Sequence, residues 1–181
     1  MIRRNQVEWG RAQALSLLKM AYVVVSPQEA DNMEITDFGL ENYPNEGAQI
    51  VTFVNTRKVG YKVICLLPGQ ILPEHMHTAS MGEEGKEESF RVAFGTLDLY
   101  LPGDDAPAPI PSGKDAWYTC RKEHRMKAPD TLTLPPDTPH WLLGGEDGCV
   151  VYSISSWARC ATDPFTDPNV IRVTQIMEEQ E

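Results

Sequence analysis

The sequence predicts an all-β fold, a jelly roll or β-barrel with an α-helical extension ahead of it. Three observations carry this. Apolar residues recur at helical spacing near the start of the chain. From Ala48 onward they alternate with polar residues or run continuously in short β-type stretches. Turn signals recur between those stretches, at Pro135-Pro136, Gly144-Gly145 and Asp147-Gly148. Helices first and then many short strands is the order expected of a barrel or jelly roll with a helical cap.

The first helix starts near Val7. Val7, Ala14, Leu15, Leu18 and Ala21 form an apolar stripe, flanked by Trp9 and Leu17. Ser26-Pro27 then reads as an N-cap followed by proline at the first helical position, opening a short helix in "SPQEADNM". "DFGLENYPNEG" reads as a loop. "AQIVTFVNT" and "YKVICLLPG" read as strands joined by the turn "RKVG", and "SFRVAFGTLDLYLPG" alternates until Pro102-Gly103. "DDAPAPIPSGKDAW" is a proline- and glycine-rich loop. Three or four further strands follow up to Trp157, and "DPFTDPNVIRVTQI" reads as a turn and one last strand. The expected organisation is a helical extension over residues 1–47 packing on a barrel over 48–181, in a single structural domain.

The chain has 181 residues, enough for one domain with a real core, and 41% of them are apolar. Its 16 basic and 26 acidic residues give a formal net charge of −10, which repels phosphate backbones and argues against a nucleic-acid partner. No apolar run approaches the roughly 20 residues that span a bilayer, so no membrane partner is expected. The N-terminal stretch does not read as a signal peptide. Of the four cysteines, none forms a C-x-x-C pair, and Cys65 and Cys149 lie in apolar strand-like runs. That pattern fits a reduced, cytoplasmic protein.

The residues with chemical character gather in "GQILPEHMHTASMGEEGKEESFRVAFG". On a strand, residues two apart share a face, so His75 and His77 project together and Met76 points away. Two adjacent imidazoles can chelate one metal ion; the other reading is a solvated, charged hairpin. A fuller ligand set needs a third histidine. His124 lies in the charged stretch "RKEHRM" and reads as exposed, whereas His140 follows a proline-stiffened turn in "PPDTPHWLL" that would aim it inward. Glu88 opens an alternating strand and can face inward, while Glu83, Glu84 and Glu87 read as loop residues. Imidazole and carboxylate donors admit Mn, Fe, Co, Ni and Zn.

These residues resemble the cupin family. Its first motif, G-x5-H-x-H followed by E-x6-G, is met by Gly69, His75, His77, Glu88 and Gly95. Its second, P-x-G-x-x-H, is met by Pro135 and His140, with Asp137 in the glycine position. Two departures stand out: ten residues separate His77 from Glu88, more than is usual, and Gly144 stands where many cupins carry Asn. The resemblance implies a cupin jelly-roll barrel and a metal held by His75, His77, Glu88 and His140.

Within the cupins the chain is similar to the D-lyxose isomerases. The similarity rests on the helical extension, on Lys86 two residues before Glu88, on "PPDTPHW", and on the ending "SSWARCATDPFTDPNVIR", which follows that group's S-S…D-x-F-T-D-P-x-x-x-R. It implies a metal-dependent aldose–ketose isomerase, with manganese as the metal, interconverting D-lyxose and D-xylulose or D-mannose and D-fructose through an enediolate. It also implies a monosaccharide partner and a homodimer. Lys86 and Asp163 are then the candidate catalytic residues, and with Phe90 and Trp141 they are candidates for substrate contact; Phe94, Tyr100 and Phe165 are further candidate walls. Arg172 is expected to pair with Asp163 or Asp167. That group is expected to carry a Glu base at the position of Ser153, and serine is no base at neutral pH. The proton carrier is then another residue, such as Glu74 or Glu87 if either aims inward, or the substrate differs. The competing readings are an Fe(II)-dependent cupin dioxygenase and a non-catalytic cupin that binds sugar or metal.

Overall fold

A computed structural model describes residues 1–80, 82–103 and 107–177. In chain order its elements are β1 (Ile2–Arg3), α1 (Arg4–Met20), α2 (Pro27–Asp31), β2 (Glu34–Thr36), β3 (Ala48–Asn55), β4 (Gly60–Leu66), β5 (Ile71–His75), β6 (Glu88–Leu101), β7 (Lys122–Lys127), β8 (Thr131–Leu134), β9 (His140–Ser155) and β10 (Ile176–Met177). The helical start is as the sequence predicts. Ser26 caps α2, accepting from the Glu29 amide at 3.2 Å while its own amide donates to Glu29 Oε2 at 2.7 Å. On α1 the buried residues are Val7, Gly10, Ala14, Leu17 and Leu18. Leu17 is therefore on the buried stripe and Leu15 is exposed, the reverse of their expected placing. The two lie on opposite flanks of the stripe, about 160° apart, and the buried face leans toward Leu17 because Gly10 and Ala14 bring that side against the sheet.

The barrel is the all-β jelly roll that the motifs imply. One eight-stranded sheet runs in the order β2-β3-β4-β9-β6-β7, with β5 added on β9 and β8 added on β6. The two long strands build both walls. The first part of β9 pairs with β5 and with the end of β6, and its second part pairs with β4 and the start of β6. Gly144-Gly145 and Asp147-Gly148 were expected as turns, but β9 runs through all four positions. The glycines serve close approach instead: a Cβ on Gly144 would lie 2.5 Å from the Leu67 carbonyl oxygen. Gly95, the last residue of the first motif, sits at φ +70° between two register shifts of β6, where a Cβ would lie 2.0 Å from the Gly148 carbonyl oxygen.

Alternation along the strands divides the side chains. Ile50, Ile64, Leu66, Phe90, Val92, Leu142 and Val151 face inward and form the barrel core. Val51, Val63, Cys65 and Val150 face outward and are covered by α1. Cys65, Cys120 and Cys149 are buried free thiols. Among the described residues no helix is long and apolar enough to cross a membrane. The segment read as a loop after α2 contributes β2, which pairs with β3. The expected last strand is shorter than predicted and pairs in parallel with β1, outside the barrel sheet.

The C-terminal tail lies back over the barrel and is pinned by a buried charge cluster. Glu46 is fully buried and takes Lys114 Nζ at 2.8 and 2.9 Å, the Tyr118 hydroxyl at 2.7 Å and the Asn42 amide at 2.7 Å. Lys114 also lies 3.3 Å from Asp167 Oδ2 on the tail. Removing one partner of a buried ion pair leaves an uncompensated charge, at a cost of about 3–5 kcal/mol. Lys114→Met is thus expected to lose stability in that range by urea unfolding, and Lys114→Met/Glu46→Gln to recover part of it. A loss under about 1 kcal/mol, the range of a surface pair, would show the cluster to be solvated.

Candidate metal centre and active site

Strand β5 ends at His75, so His77 lies beyond the strand that was expected to carry both histidines. The tail keeps the backbone extended there: Met76 N–H donates to the Pro164 carbonyl at 3.1 Å, and His75 forms an isolated bridge to Phe165. The two-residue period therefore persists, and the His75 and His77 rings stand 5.0 Å apart. His140 opens β9 directly opposite His75, ring centroids 4.4 Å apart. The turn before it places Asp137 at φ +60°, a left-handed conformation that asparagine and aspartate tolerate better than most residues. That explains how Asp137 stands in a glycine position, and its amide donates to the His77 carbonyl at 3.1 Å.

The side chains fit a metal ion. The ligand atoms of His75, His77 and His140 lie within 4.8 Å of one another, and all three residues are buried. His75 Nδ1 donates to the Pro73 carbonyl and His140 Nδ1 to the Thr138 carbonyl, each at 2.9 Å. His77 Nδ1 is 3.0 Å from Asp163 Oδ1. With Nδ1 of His75 and His140 carrying the proton, their Nε2 atoms present lone pairs, the arrangement in which outer partners orient metal-binding imidazoles. His140 Nε2 is buried with no hydrogen-bond partner. Glu88 Oε2 lies 2.7 Å from His77 Nε2, close enough for a protonated Nε2 to donate to it or for both atoms to meet one cation.

The electrostatics agree. Burial, with the neighbouring imidazoles, holds His75 well below its ordinary pKa and His140 down to about 4, so both are neutral ligands at neutral pH. For His77, burial acts downward but is outweighed by Asp163 and Glu88, and its pKa rises. For Glu88, burial acts upward but is outweighed by Lys86 and His77, and its carboxyl is held well below the usual range. The spot between His77 and Glu88 favours positive charge.

A cavity of about 460 Å³, including what opens to solvent, adjoins this group. Lys86, Asp163, Phe90, Phe165 and Ser153 line it, together with His75, His77 and Glu88. Lys86 is buried, its Nζ 3.1 Å from Glu88 Oε2. The long loop before it folds back onto the barrel, with Arg159 Nε on Ser80 Oγ at 3.0 Å and Arg57 paired with Glu83. Phe165 stacks on His75 at 5.2 Å. The Ser153 hydroxyl donates to Glu88 Oε1.

Several expectations need correction. Trp141 is fully buried away from the cavity, stacked on Tyr100 at 3.8 Å with its indole N–H on the Cys120 carbonyl. It follows His140 on β9, and alternation sends it to the opposite face. Phe94 packs on the outer side of the sheet. Arg172, expected on Asp163 or Asp167, pairs with Glu34 at 2.6 and 3.3 Å, and it also lines the cavity. Glu87 is exposed, and Glu74, though buried, gives both carboxylate oxygens to Thr119, Thr166 and the Cys120 amide, so neither reaches the cavity as a base. His124 lies half-buried on β7, away from the cavity. Lys62 was missed: it lines the cavity from β4, opposite Ser153 on β9. Its alternation with outward Tyr61 and Val63 was the available signal.

No family model matches the chain. The D-lyxose/D-mannose isomerase of Thermosediminibacter oceani is 35% identical over 179 residues, 97% of this chain and 99% of that protein. The D-lyxose ketol-isomerase of Cohnella laeviribosi is 37% identical over 93% of this chain and 96% of its own. Among solved structures, the L-ribose isomerase of Cellulomonas parahominis superposes with a TM-score of 0.78 at 17% identity, covering 97% of this chain and 98% of that one, which shows the shared fold.

Proposed function

Because the chain belongs to the D-lyxose ketol-isomerase family, and is an aldose–ketose isomerase, we propose that it interconverts D-lyxose and D-xylulose, with D-mannose and D-fructose as a second pair. The dioxygenase and binding-only readings give way to that family membership. The observation that supports a metal-dependent reaction is the buried trio His75, His77 and His140, with Nδ1 of His75 and His140 on backbone carbonyls and His77 Nδ1 3.0 Å from Asp163. In this reading the trio and Glu88 hold a divalent ion, manganese first among the candidates, which supplies Lewis acidity to the sugar oxygens.

The rest is done by the chain's own side chains. Isomerisation takes a proton from one carbon, returns one to its neighbour and moves another between the two oxygens. Among the described cavity residues the carboxylates are Glu88 and Asp163, and with Glu88 assigned to the ion, Asp163 and Lys86 carry the protons. Asp163 also fixes the His77 ring. Ser153 cannot serve, since its hydroxyl donates to Glu88. Phe90 and Phe165 give the sugar apolar faces and exclude water. The buried free thiols Cys65, Cys120 and Cys149 support a cytoplasmic setting, and analogy with related cupins a homodimer, checked by fractionation and light scattering.

The test is an isomerisation assay on EDTA-stripped protein, with Mn²⁺ restored, against D-lyxose, D-xylulose, D-mannose and D-fructose. Interconversion that depends on the added metal is expected. One ion bound per chain without turnover of any of the four sugars would sink the substrate assignment.

A further inference from the structure

Glu74 is a buried carboxylate that the chemistry above does not use. It precedes His75 on β5 and is 1% exposed. Its Oε1 accepts from the Thr119 and Thr166 hydroxyls, both at 2.8 Å, and its Oε2 accepts from the Cys120 amide at 2.8 Å. Its backbone carbonyl takes the Thr166 amide at 3.0 Å. Thr166 is thus held twice by one residue, and two residues of the same short tail segment, Asp163 and Phe165, lie against the histidines. Phe165 stacks on His75 at 5.2 Å, and Asp163 stands 3.0 Å from His77 Nδ1.

We propose that Glu74 is a positioning residue for the metal centre: it locks residues 163–166 against β5, and that strap sets the orientation of His75 and His77. The proposal rests on the metal reading of the three histidines, not on the identity of the sugar. Without the grip, Asp163 and Phe165 would keep their chemistry but lose their fixed places, and two imidazoles would spend part of their time turned from the ion. Outer partners of metal ligands typically account for about 10- to 100-fold in affinity.

The internal comparison is provided by the carboxylate itself. Thr119 and Thr166 give the same atom the same 2.8 Å bond, but only Thr166 belongs to the strap. Thr119→Val and Thr166→Val are therefore matched in what they remove. Cobalt(II) affinity is measured by chelator competition on folded, metal-stripped protein, with the cobalt absorption band as a record of ligand geometry. No sugar is added, so failure of the isomerase assignment leaves this result readable. Thr166→Val is expected to weaken cobalt binding about tenfold or more and to shift the band. Thr119→Val is expected to leave both near parent values, with a similar loss of thermal stability. Glu74→Gln can accept from the Cys120 amide and donate to both hydroxyls, so it should hold affinity close to parent. Equal affinity in the two threonine variants would reduce Glu74 to a merely structural clamp and overturn the proposal. So would a Glu74→Gln loss as large as that of Thr166→Val, since charge and not grip would then be at work. Thr166→Ala serves in the same comparison if the valine variant does not fold.

Discussion

His140→Ala is expected to remove metal binding and turnover together while the barrel stays folded. His140 contributes a buried Nε2 with no protein partner and an Nδ1 anchored on Thr138. Losing a direct ligand should weaken metal by more than the roughly 10- to 100-fold typical of outer partners. The Lewis-acid contribution to such reactions is several kcal/mol, so activity should fall by about 10³-fold or more at fixed manganese. The fold should tolerate the change unusually well. Truncating a buried side chain normally costs stability through the void it leaves, but here the truncation also removes a buried, unpartnered polar atom whose burial is itself unfavourable. Metal content by atomic absorption, far-ultraviolet circular dichroism and the isomerase rate are the three readings. A variant that keeps one tightly bound ion per chain would show that the site lies elsewhere.

Lys86→Met is expected to separate what His140→Ala keeps joined. It should retain metal and lose turnover, by about 10²- to 10⁴-fold if Lys86 transfers a proton in the rate-limiting step. Lys86 is 6% exposed with its ammonium 3.1 Å from Glu88 Oε2, so methionine fills the stem's volume without the charge. Glu88 would lose a neighbour that holds its pKa low, and His77 together with the ion would still keep it ionised. Metal affinity should therefore change little and kcat much, with KM for D-lyxose rising less than kcat falls. A rate within about threefold of the parent lies far below that range for proton transfer, and would return Lys86 to the standing of a structural cation for Glu88.

How far these sites were legible in the sequence varies with the kind of contact that makes them. The pairing of His75 with His77 follows from the period of an extended chain, and it survived even though the strand ends at His75, because the tail holds the backbone straight. Glu88 could be placed from the alternation of its strand, and Lys86 only from the family resemblance. The Glu34–Arg172 pair could not, since its partners are 138 residues apart and nothing local distinguishes Glu34 from other acceptors for an arginine. Trp141 was misplaced because its neighbour His140 drew it toward the site, although adjacent strand residues face opposite ways. Gly144-Gly145 and Asp147-Gly148 of β9 read as turns in the sequence because a glycine that permits a bend and one that permits close packing look alike until the neighbouring strand is known.

The strap across the histidines also has a bearing on biogenesis. Ribosomes release chain at about 5–20 residues per second, and His75, His77, Glu88 and His140 leave the exit tunnel well before Asp163, Phe165 and Thr166. For that interval the nascent chain exposes its imidazoles without the segment that orients them. A zinc finger folds around its ion; here the ligand orientation depends on a late, long-range docking of the tail, so metal capture should follow barrel closure. Cellular metal supply would then act on finished molecules, and apo-protein would accumulate as a folded, rescuable pool.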